Sequence, residues 1–371
     1  MGQRHLTQDK PSPAPHSISA PLLGKHLPPR HQRNDFFNRS SAIQAISTPG
    51  ACVVAMVTYT NLQLVEQCDK FPYAQTRPDE YATKVSGYYK FHVEGCASVL
   101  GFMLPATVQG FQWPDFWKVD HQRKIVLLCG KTLDERDQRV ARTLAAERQR
   151  RHFKLLDGWR NELYPVYGPD RSVLVNMERA ASALFGIVAY GTHLTGYVVA
   201  ESGLKIWVSR RASNKQTYPG MLDNTAGGGM ASGDKPFESI VREAAEEASF
   251  PRDYVRKNAK CAGTVSYFDI RDERAAAGTE VGLLQPECIY VYDLEVTRDF
   301  VPRPHDLEAE DFRLWDMPEL QAALRRGEFK TNCALVLLDF FIRHGIITPE
   351  EEEDYVEIVA RLHRKLEFPC A

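Results

Sequence analysis

Three glutamates on one short predicted helix are the residues of this sequence whose types and spacing most directly indicate chemistry. Glu243, Glu246 and Glu247 lie in the stretch "REAAEEASF". At about 100° per residue, their side chains fall together on a helical arc about 100° wide. Glu238 lies off that arc, one turn before Arg242, and we expect those two side chains to pair at i,i+4. The helix therefore carries three converging carboxylates and no further cation to pair with them.

A glycine-rich loop comes directly before this helix. Gly227, Gly228, Gly229 and Gly233 let the chain turn tightly and bring bare backbone carbonyls close to the helix. Converging carboxylates and a carbonyl are the hard oxygen ligands that Mg²⁺ or Mn²⁺ prefers. A solvated acidic face is the alternative, because like charges at these spacings repel by only roughly a few tenths of a kcal/mol. The glycine loop favours the metal site.

Spacing excludes two kinds of phosphate-binding loop. Gly228 and Gly233 form a Gly-x4-Gly pattern, but Asp-Lys-Pro follows where Lys-Ser/Thr is needed. Asp234 would repel phosphate, and Pro236 removes an N–H donor from the start of the helix. The dinucleotide pattern Gly-x-Gly-x-x-Gly fails because Ser232 occupies its last position.

The helix itself has recognisable start signals and one apolar face. Pro236 suits the first turn, and Asp234 before it can accept from the free backbone N–H groups there. The residues that form the apolar arc are Phe237, Ile240, Val241, Ala244, Ala245 and Ala248.

The surrounding segments predict a mixed α/β sandwich at residues 170–345. The stretches "LFGIVAYGTHLTGYVVA", "KIWVSRR", "AGTVSYFDIR" and "ECIYVYDLEV" predict strands. The stretch "NCALVLLDFFIRHG" predicts a buried helix that Gly345 ends. Strands on both sides of one helix, with a second helix at the end, indicate a sheet between helical layers. Residues 346–371 then form a C-terminal helical extension.

A small α+β auxiliary domain is predicted before this sandwich, at residues 56–169. The stretches "YYKFHVEG" and "KIVLLCG" predict strands, and "DERDQRVARTLAAERQRRHF" predicts an exposed helix. No chemistry is concentrated in this part of the sequence.

Composition narrows the class of protein. The chain has 371 residues, 43% of them hydrophobic, and a net charge of -2, which disfavours binding to a nucleic-acid polymer. No stretch approaches the roughly 20 apolar residues of a membrane span. The eight cysteines are scattered without a Cys-x-x-Cys pair, which argues against a zinc site or a disulfide scaffold and suits a reducing compartment.

Residues 1–55 differ in composition from the rest, being rich in proline and serine and poor in acidic residues. We expect a disordered tail, and the cysteine pattern leads us to expect a cytoplasmic protein. A mitochondrial or plastid transit peptide is one alternative, although the prolines would break its amphipathic helix. Translation starting at Met56 is another.

The glycine loop and acidic helix together resemble a Nudix box, Gly-x5-Glu-x7-Arg-Glu-U-x-Glu-Glu-x-Gly-U, where U is apolar. Gly228 opens the pattern, and Arg242 and Glu243 form its Arg-Glu pair. Asp234 replaces the first glutamate, so Glu238 is the expected substitute partner of Arg242. Ser249 replaces the final glycine of the pattern.

The resemblance extends over most of residues 57–365. Stretches such as "WVSRRASNKQTYPGMLDNTAGGG" and "GEFKTNCALVLLDFFIRHG" are similar to the thiamine pyrophosphokinase-related Nudix hydrolases of fungi and plant chloroplasts, without the thiamine kinase domain. This resemblance implies a metal-dependent pyrophosphohydrolase with a Nudix α/β/α sandwich. The implied substrate is a small diphosphate, an oxidised thiamine diphosphate or an 8-oxo-dGDP-like nucleoside diphosphate, and the implied role is clearing damaged metabolites.

The same resemblance implies which residues hold the metal. Glu246, Glu247 and the Gly227 carbonyl would be direct ligands, and Glu243 would be a ligand or the base for the attacking water. A fourth carboxylate is expected from a later loop. Glu308 in "PHDLEAEDF" is the first candidate for it, and Glu287 is the fallback.

Other side chains are assigned from the residues themselves. Arg210, Arg211 and Lys215 could clamp phosphate oxygens or be surface charges at a strand end. We expect His193 to be a structural histidine and Cys333 a buried small residue. The residues that could stack on a ring, but more commonly pack in a core, are Trp207, Tyr218 and Tyr267.

Two other functions share this fold. A Nudix isomerase needs a cysteine in the pocket, which Cys261, Cys288 or Cys333 would have to supply. A diphosphate-binding module would keep the fold without turnover. The choice of substrate, the role of the auxiliary domain and the oligomeric state stay open at this level.

Overall fold

The computed structural model describes residues 58–305 and 308–371, so the predictions for the N-terminal tail lie outside the described residues. The strands are β1 Tyr89–Val93, β2 Gly101–Met103, β3 Trp117–Asp120, β4 Ile125–Leu128, β5 Leu163–Tyr167, β6 Val173–Glu178, β7 Ala189–Ala200, β8 Gly203–Arg211, β9 Leu222–Asp223, β10 Ala226–Gly229, β11 Lys260–Ile270, β12 Leu284–Glu295 and β13 Ala309–Asp316. The α-helices are α1 Asn61–Glu66, α2 Pro78–Ser86, α3 Pro105–Gly110, α4 Leu133–Arg150, α5 Ser182–Phe185, α6 Pro236–Ala248, α7 Arg252–Asn258, α8 Glu273–Ala276, α9 Met317–Arg325, α10 Thr331–Arg343 and α11 Tyr355–Leu362. Two short 3₁₀ helices span Lys154–Gly158 and Arg179–Ala181.

The first part of the described chain is an α+β unit, which we call the N-terminal unit (residues 89–187). Its main sheet has the strand order β2-β1-β4-β3, in which β1 and β4 are parallel. Strands β5 and β6 form a separate antiparallel two-stranded sheet. Helix α4 buries Val140 and Leu144 in the same core as Phe91 and Val126. Thr132 caps this helix by accepting from Glu135 N, and Arg151 ends it in the left-handed conformation. The α+β fold predicted before the sandwich is confirmed, and the core of this unit continues past the predicted boundary at residue 169 to include Val175 and Phe185.

A seven-stranded mixed sheet forms the second part. Its main path is β11-β12-β7-β8-β13, and β10 and β9 pair with β7 and β8. Strands β12 and β7 run parallel, whereas their other neighbours are antiparallel. Alternation along β8 sends Ile206 and Val208 to one face and Trp207 to the other. Helices α6 and α7 cover the face with Trp207, and α9, α10 and α11 cover the opposite face. The predicted α/β/α sandwich with a mixed sheet is confirmed.

The ends of the described chain are joined through one buried carboxylate. Asp69 is 1% exposed and accepts from Arg364 Nη1 at 2.9 Å, Arg361 Nε at 3.2 Å and the Phe268 backbone N–H at 3.0 Å. Arg364 is also buried, so both charges are held away from water by this network. The segment after α1 is thereby fixed to the segment after α11 and to β11. No helix among the described residues is both long enough and apolar enough to cross a membrane.

Candidate active site

Helix α6 has the apolar face that the sequence predicts. Pro236 occupies the first helical turn, and Ile240, Val241, Ala244 and Ala248 are buried against the sheet. The helix ends at Ser249, whose φ of 59° is left-handed, the conformation in which glycine is usual. Its hydroxyl donates to the Arg303 carbonyl at 2.9 Å, which helps to offset the strain of a serine at this position.

Two expectations for the start of α6 are wrong. Asp234 does not cap the helix, because Lys235 is the N-cap residue and no side chain bonds there. Asp234 instead accepts from Ala231 N at 3.2 Å and closes the turn before the helix. Glu238 does not pair with Arg242, because α7 folds back and brings Arg256 to within 2.8 Å of it.

Arg242 has different partners. Its Nη2 lies 3.4 Å from Asp234 and 2.9 Å from Glu243. The aspartate in the place of the first box glutamate therefore still contacts the arginine. The result is a cation held beside the first of the converging glutamates.

Glu243 lies directly against the glycine strand β10. A Cβ atom on Gly228 would be 2.4 Å from Cδ of Glu243, so only glycine leaves room for this carboxyl. Burial, opposed by Arg242 and reinforced by the nearby charge of Glu246, raises the pKa of Glu243 to about 7. This carboxyl can therefore change its protonation state near neutral pH.

Glu247 lies one turn further along α6 and faces a polar cavity. Its Oε2 accepts from the Gly227 backbone N–H at 2.8 Å. A strand residue points its N–H and C=O to the same edge, so the Gly227 carbonyl also lies on the edge away from β7. Burial and the neighbouring charge of Asp223 raise the pKa of Glu247 well above its usual value.

Glu308 brings a carboxylate from the segment before β13 to the same cavity. Its carboxyl is hydrogen-bonded to that of Glu247, and it forms an ion pair with Lys215 at 2.5 Å. Burial alone would raise the pKa of Glu308, but Lys215 and the contact with Glu247 lower it. The Glu247 carboxyl therefore binds a proton more tightly than the Glu308 carboxyl.

This donor set fits a divalent cation. The contacting carboxyls of Glu247 and Glu308, with Glu243 and the Gly227 carbonyl nearby, are all hard oxygen donors. Carboxylates that repel each other in one partly buried cavity are stabilised when a cation binds among them. Glu246 lies further out, with its side chain 47% exposed and 3.7 Å from Arg252, although its charge still acts on Glu243.

The cations named from the sequence separate into two groups. Arg211 and Lys215 line the cavity with Glu247 and Glu308, whereas Arg210 donates to the Gly220 carbonyl at 2.8 Å. Arg211 donates to Asp223 Oδ2 at 2.7 Å and also to the Thr217 and Tyr218 carbonyls. Arg211 therefore holds the loop after β8 in place, and Lys215 is the more available cation.

Asp223 is a cavity residue that sequence reasoning missed. It lines the cavity beside Glu247, and although burial opposes ionisation, Lys330 and Arg211 lower its pKa. Its position four residues before Gly227 was the available signal, but a single aspartate at that distance predicts little.

Asp223 also organises a small polar cluster with His193 and Cys333, whose ligand atoms lie within 4.8 Å of one another. His193 Nδ1 is 2.6 Å from Asn224 Oδ1, and the Cys333 thiol donates to Asp223 at 2.6 Å. Both residues are buried, as predicted. Burial and the charge of Asp223 raise the pKa of Cys333 well above its usual value, so the thiol stays protonated.

The remaining sequence candidates lie away from the paired carboxyls. Trp207 packs in the core beneath α6. Tyr267 is in the core on the α10 side, where its hydroxyl donates to Glu287. The Tyr218 hydroxyl lies 3.3 Å from the Thr331 hydroxyl. Glu287, the fallback carboxylate, is therefore engaged on the α10 side, and Glu308 is the one that meets Glu247.

Two parts of the chain match known families. Residues 62–189 match a domain of unknown function, DUF4743, and residues 194–333 match the NUDIX domain. The protein YJR142W of Saccharomyces cerevisiae is 36% identical over 294 residues, which cover 77% of this chain and 82% of that protein.

Two proteins of Arabidopsis thaliana are also similar. Nudix hydrolase 20, chloroplastic, is 37% identical over 213 residues, and Nudix hydrolase 24, chloroplastic, is 36% identical over 210 residues. These matches cover 57% and 56% of this chain and 54% of each plant protein. The matched region thus spans about half the length of the two plant proteins.

Proposed function

Because this chain belongs to the Nudix hydrolase family and carries its N-terminal DUF4743 domain, we propose that it is a metal-dependent pyrophosphohydrolase of small diphosphates. The observation that supports this most is the contact between the carboxyls of Glu247 and Glu308, beside Glu243 and the Gly227 carbonyl. A divalent cation bound beside these carboxyls would stabilise both in their charged form.

Mg²⁺ or Mn²⁺ would neutralise the charge of the diphosphate and lower the pKa of a bound water. Glu247, Glu308 and the Gly227 carbonyl would hold it, with Glu246 contributing from the outer side of α6. Glu243, with a pKa of about 7, is suited to accept the proton of the attacking water near neutral pH.

Lys215 would change partner when the site is loaded. It pairs with Glu308 at 2.5 Å, and a cation bound to that carboxylate competes with this ion pair. The released ammonium group can then contact a phosphate oxygen. Arg211 would support this step indirectly, because its bonds to Asp223 and to two backbone carbonyls fix the loop that carries Lys215.

The finer proposal concerns the substrate. We propose an oxidised thiamine diphosphate or an 8-oxo-dGDP-like nucleoside diphosphate, and a role in clearing damaged metabolites. The support is the similarity of long stretches of the chain to the thiamine pyrophosphokinase-related Nudix hydrolases. The test is phosphate release from purified protein with a panel of diphosphates that includes oxidised and unmodified thiamine and guanine compounds. Equal rates on damaged and undamaged compounds would contradict the damage-clearing role.

The hydrolase proposal is tested by Glu247→Gln. We expect turnover to fall by about a thousandfold or more, because the amide cannot supply the anionic ligand. Folding should be retained, since the amide is close in shape to the protonated carboxyl already present. Glu238→Gln is the matched control, because it removes a glutamate charge from the exposed side of the same helix. Near-normal turnover by Glu247→Gln would remove this residue from the site.

The two other functions of this fold predict different outcomes. An isomerase that depends on a pocket cysteine is disfavoured, because the thiol of Cys333 is held neutral by burial and by Asp223. Retention of turnover by Cys333→Ser would exclude that residue as a nucleophile. A binding module without turnover would show no phosphate release that depends on Mg²⁺ and is lost with a chelator.

A further inference from the structure

The N-terminal unit reaches the carboxylate cavity through its β5–β6 hairpin. The Ser232 backbone N–H, just after the glycine strand, donates to the Leu163 carbonyl at 2.7 Å. The next residue, Tyr164, packs so closely that a Cβ atom on Gly229 would lie 1.9 Å from its hydroxyl. Gly229 thus allows a side chain of the N-terminal unit to lie directly on the strand that borders the site.

Arg179 follows β6 and lies at the same place. Its ζ-carbon is 3.4 Å from the position of a Cβ on Gly229, and its guanidinium stacks 5.6 Å from the centre of the Tyr164 ring. Glu162 holds it with an ion pair of 2.8 Å. The side chain is still 41% exposed, and its charge and that of Glu243 act on each other. Arg179 is therefore an oriented cation with donors left facing solvent beside Glu243.

Arg160 precedes β5, and its backbone lies beside Glu178, the residue directly before Arg179. Its backbone N–H donates to the buried Glu178 carboxylate at 2.9 Å, which fixes the chain while the side chain remains exposed. Its positive charge contributes to the lowered pKa of Glu308. Nearby, Gly158 packs against Gln216, in the same loop as Lys215. Arg160 and Lys215 thus both lie near Glu308.

The cavity is lined by more acidic than basic side chains. Glu247, Glu308 and Asp223 line the cavity, and Glu243 lies close enough to feel the charge of Glu308. Of the cavity's own cations, Arg211 is already bonded to Asp223 and Lys215 is paired with Glu308. A diphosphate adds more negative charge to this site. A guanidinium binds phosphate oxygens with two parallel hydrogen bonds, which a metal ion and one lysine do not replace.

We infer that the N-terminal unit completes the substrate site, with Arg160 and Arg179 binding the diphosphate oxygens. The inference rests on the proposed function, because it takes a diphosphate as the ligand. Glu162 and Tyr164 are positioning residues that orient the Arg179 guanidinium. The class of ligand is a diphosphate ester, for which these arginines recognise the phosphates and not the attached group.

The test compares full-length variants Arg160→Ala and Arg179→Ala with the wild type. We expect KM for a hydrolysed diphosphate to rise about tenfold or more for each variant, with a smaller change in kcat, because a charge-assisted hydrogen bond to substrate is lost. Arg179→Lys should recover part of the loss, since it keeps the charge without the bidentate geometry. Lys118→Ala, on the exposed side of β3, is the control for loss of one positive charge from the same unit.

A binding measurement separates this inference from the proposed activity. Titration calorimetry with methylenediphosphonate, which cannot be hydrolysed, should show weaker binding for both arginine variants in the presence of Mg²⁺. Glu162→Gln is the second variant, because it loosens Arg179 without removing it, and it should weaken binding in the same direction. Folded variants that keep wild-type KM and wild-type affinity for methylenediphosphonate would overturn the inference and leave the hydrolase proposal intact. Binding that depends on the arginines, in a protein that releases no phosphate from any diphosphate, would support the inference and refute the hydrolase proposal.

Discussion

In the metal-free protein, Glu243→Gln should stabilise the fold at alkaline pH. Glutamine resembles the protonated carboxyl, which the folded site prefers. The pKa of Glu243 rises from 4.5 to about 7 on folding, and its side chain is only 15% exposed. Each tenfold change in proton affinity is worth about 1.4 kcal/mol, so the ionised carboxyl costs the folded protein about 3 kcal/mol.

The sign of this effect follows from proton binding. Between about pH 4.5 and pH 7 the folded state holds the Glu243 proton more tightly than the unfolded state, so wild-type stability falls as the pH rises. Below that window both states are protonated, and the variant should have no advantage from this group. Above it the full difference of about 3 kcal/mol should be present.

The assay is urea unfolding of wild type and Glu243→Gln in a chelator, at about pH 4 and about pH 8.5. Glu238→Gln is the matched control on the same helix, because that glutamate is 54% exposed, pairs with Arg256 and has a lowered pKa. It should bring no gain at alkaline pH. A Glu243→Gln protein that is no more stable than wild type at the higher pH, or equally stabilised at both, would refute the account of this carboxyl.

Two further predictions concern other parts of the fold. Gly228→Ala should lower turnover by about a hundredfold and change stability little. The new Cβ would lie 2.4 Å from Cδ of Glu243, so the flexible carboxyl would move away from its position in the site. Unchanged turnover would show that the position of the Glu243 carboxyl does not matter for the reaction. Asp69→Asn should lower the free energy of unfolding by roughly 3 to 5 kcal/mol, because it removes the buried charge that faces Arg364 and Arg361. Urea unfolding measures the second effect, and a loss below about 1 kcal/mol would mean that the remaining partners of the arginines suffice.

The sequence by itself determined the fold class and the identity of the acidic helix. Helical spacing places Glu243 and Glu247 on one arc and the apolar residues on another, and the strand segments alternate or are continuously apolar as a buried mixed sheet requires. These are local patterns, in which neighbours along the chain decide the outcome. The same patterns could not separate Glu246, whose side chain is 47% exposed, from Glu243 and Glu247, which lie against β10.

Only the tertiary structure decided which residues meet there. Glu308 and Asp223 come from segments far from α6 in the sequence, and the partner of Glu238 proved to be Arg256 because α7 folds back on α6. The N-terminal unit showed no pattern of chemistry, yet Arg179 lies against the glycine strand of the other half. Side-chain contacts between distant segments depend on how the layers pack, and no local period of the sequence encodes that packing.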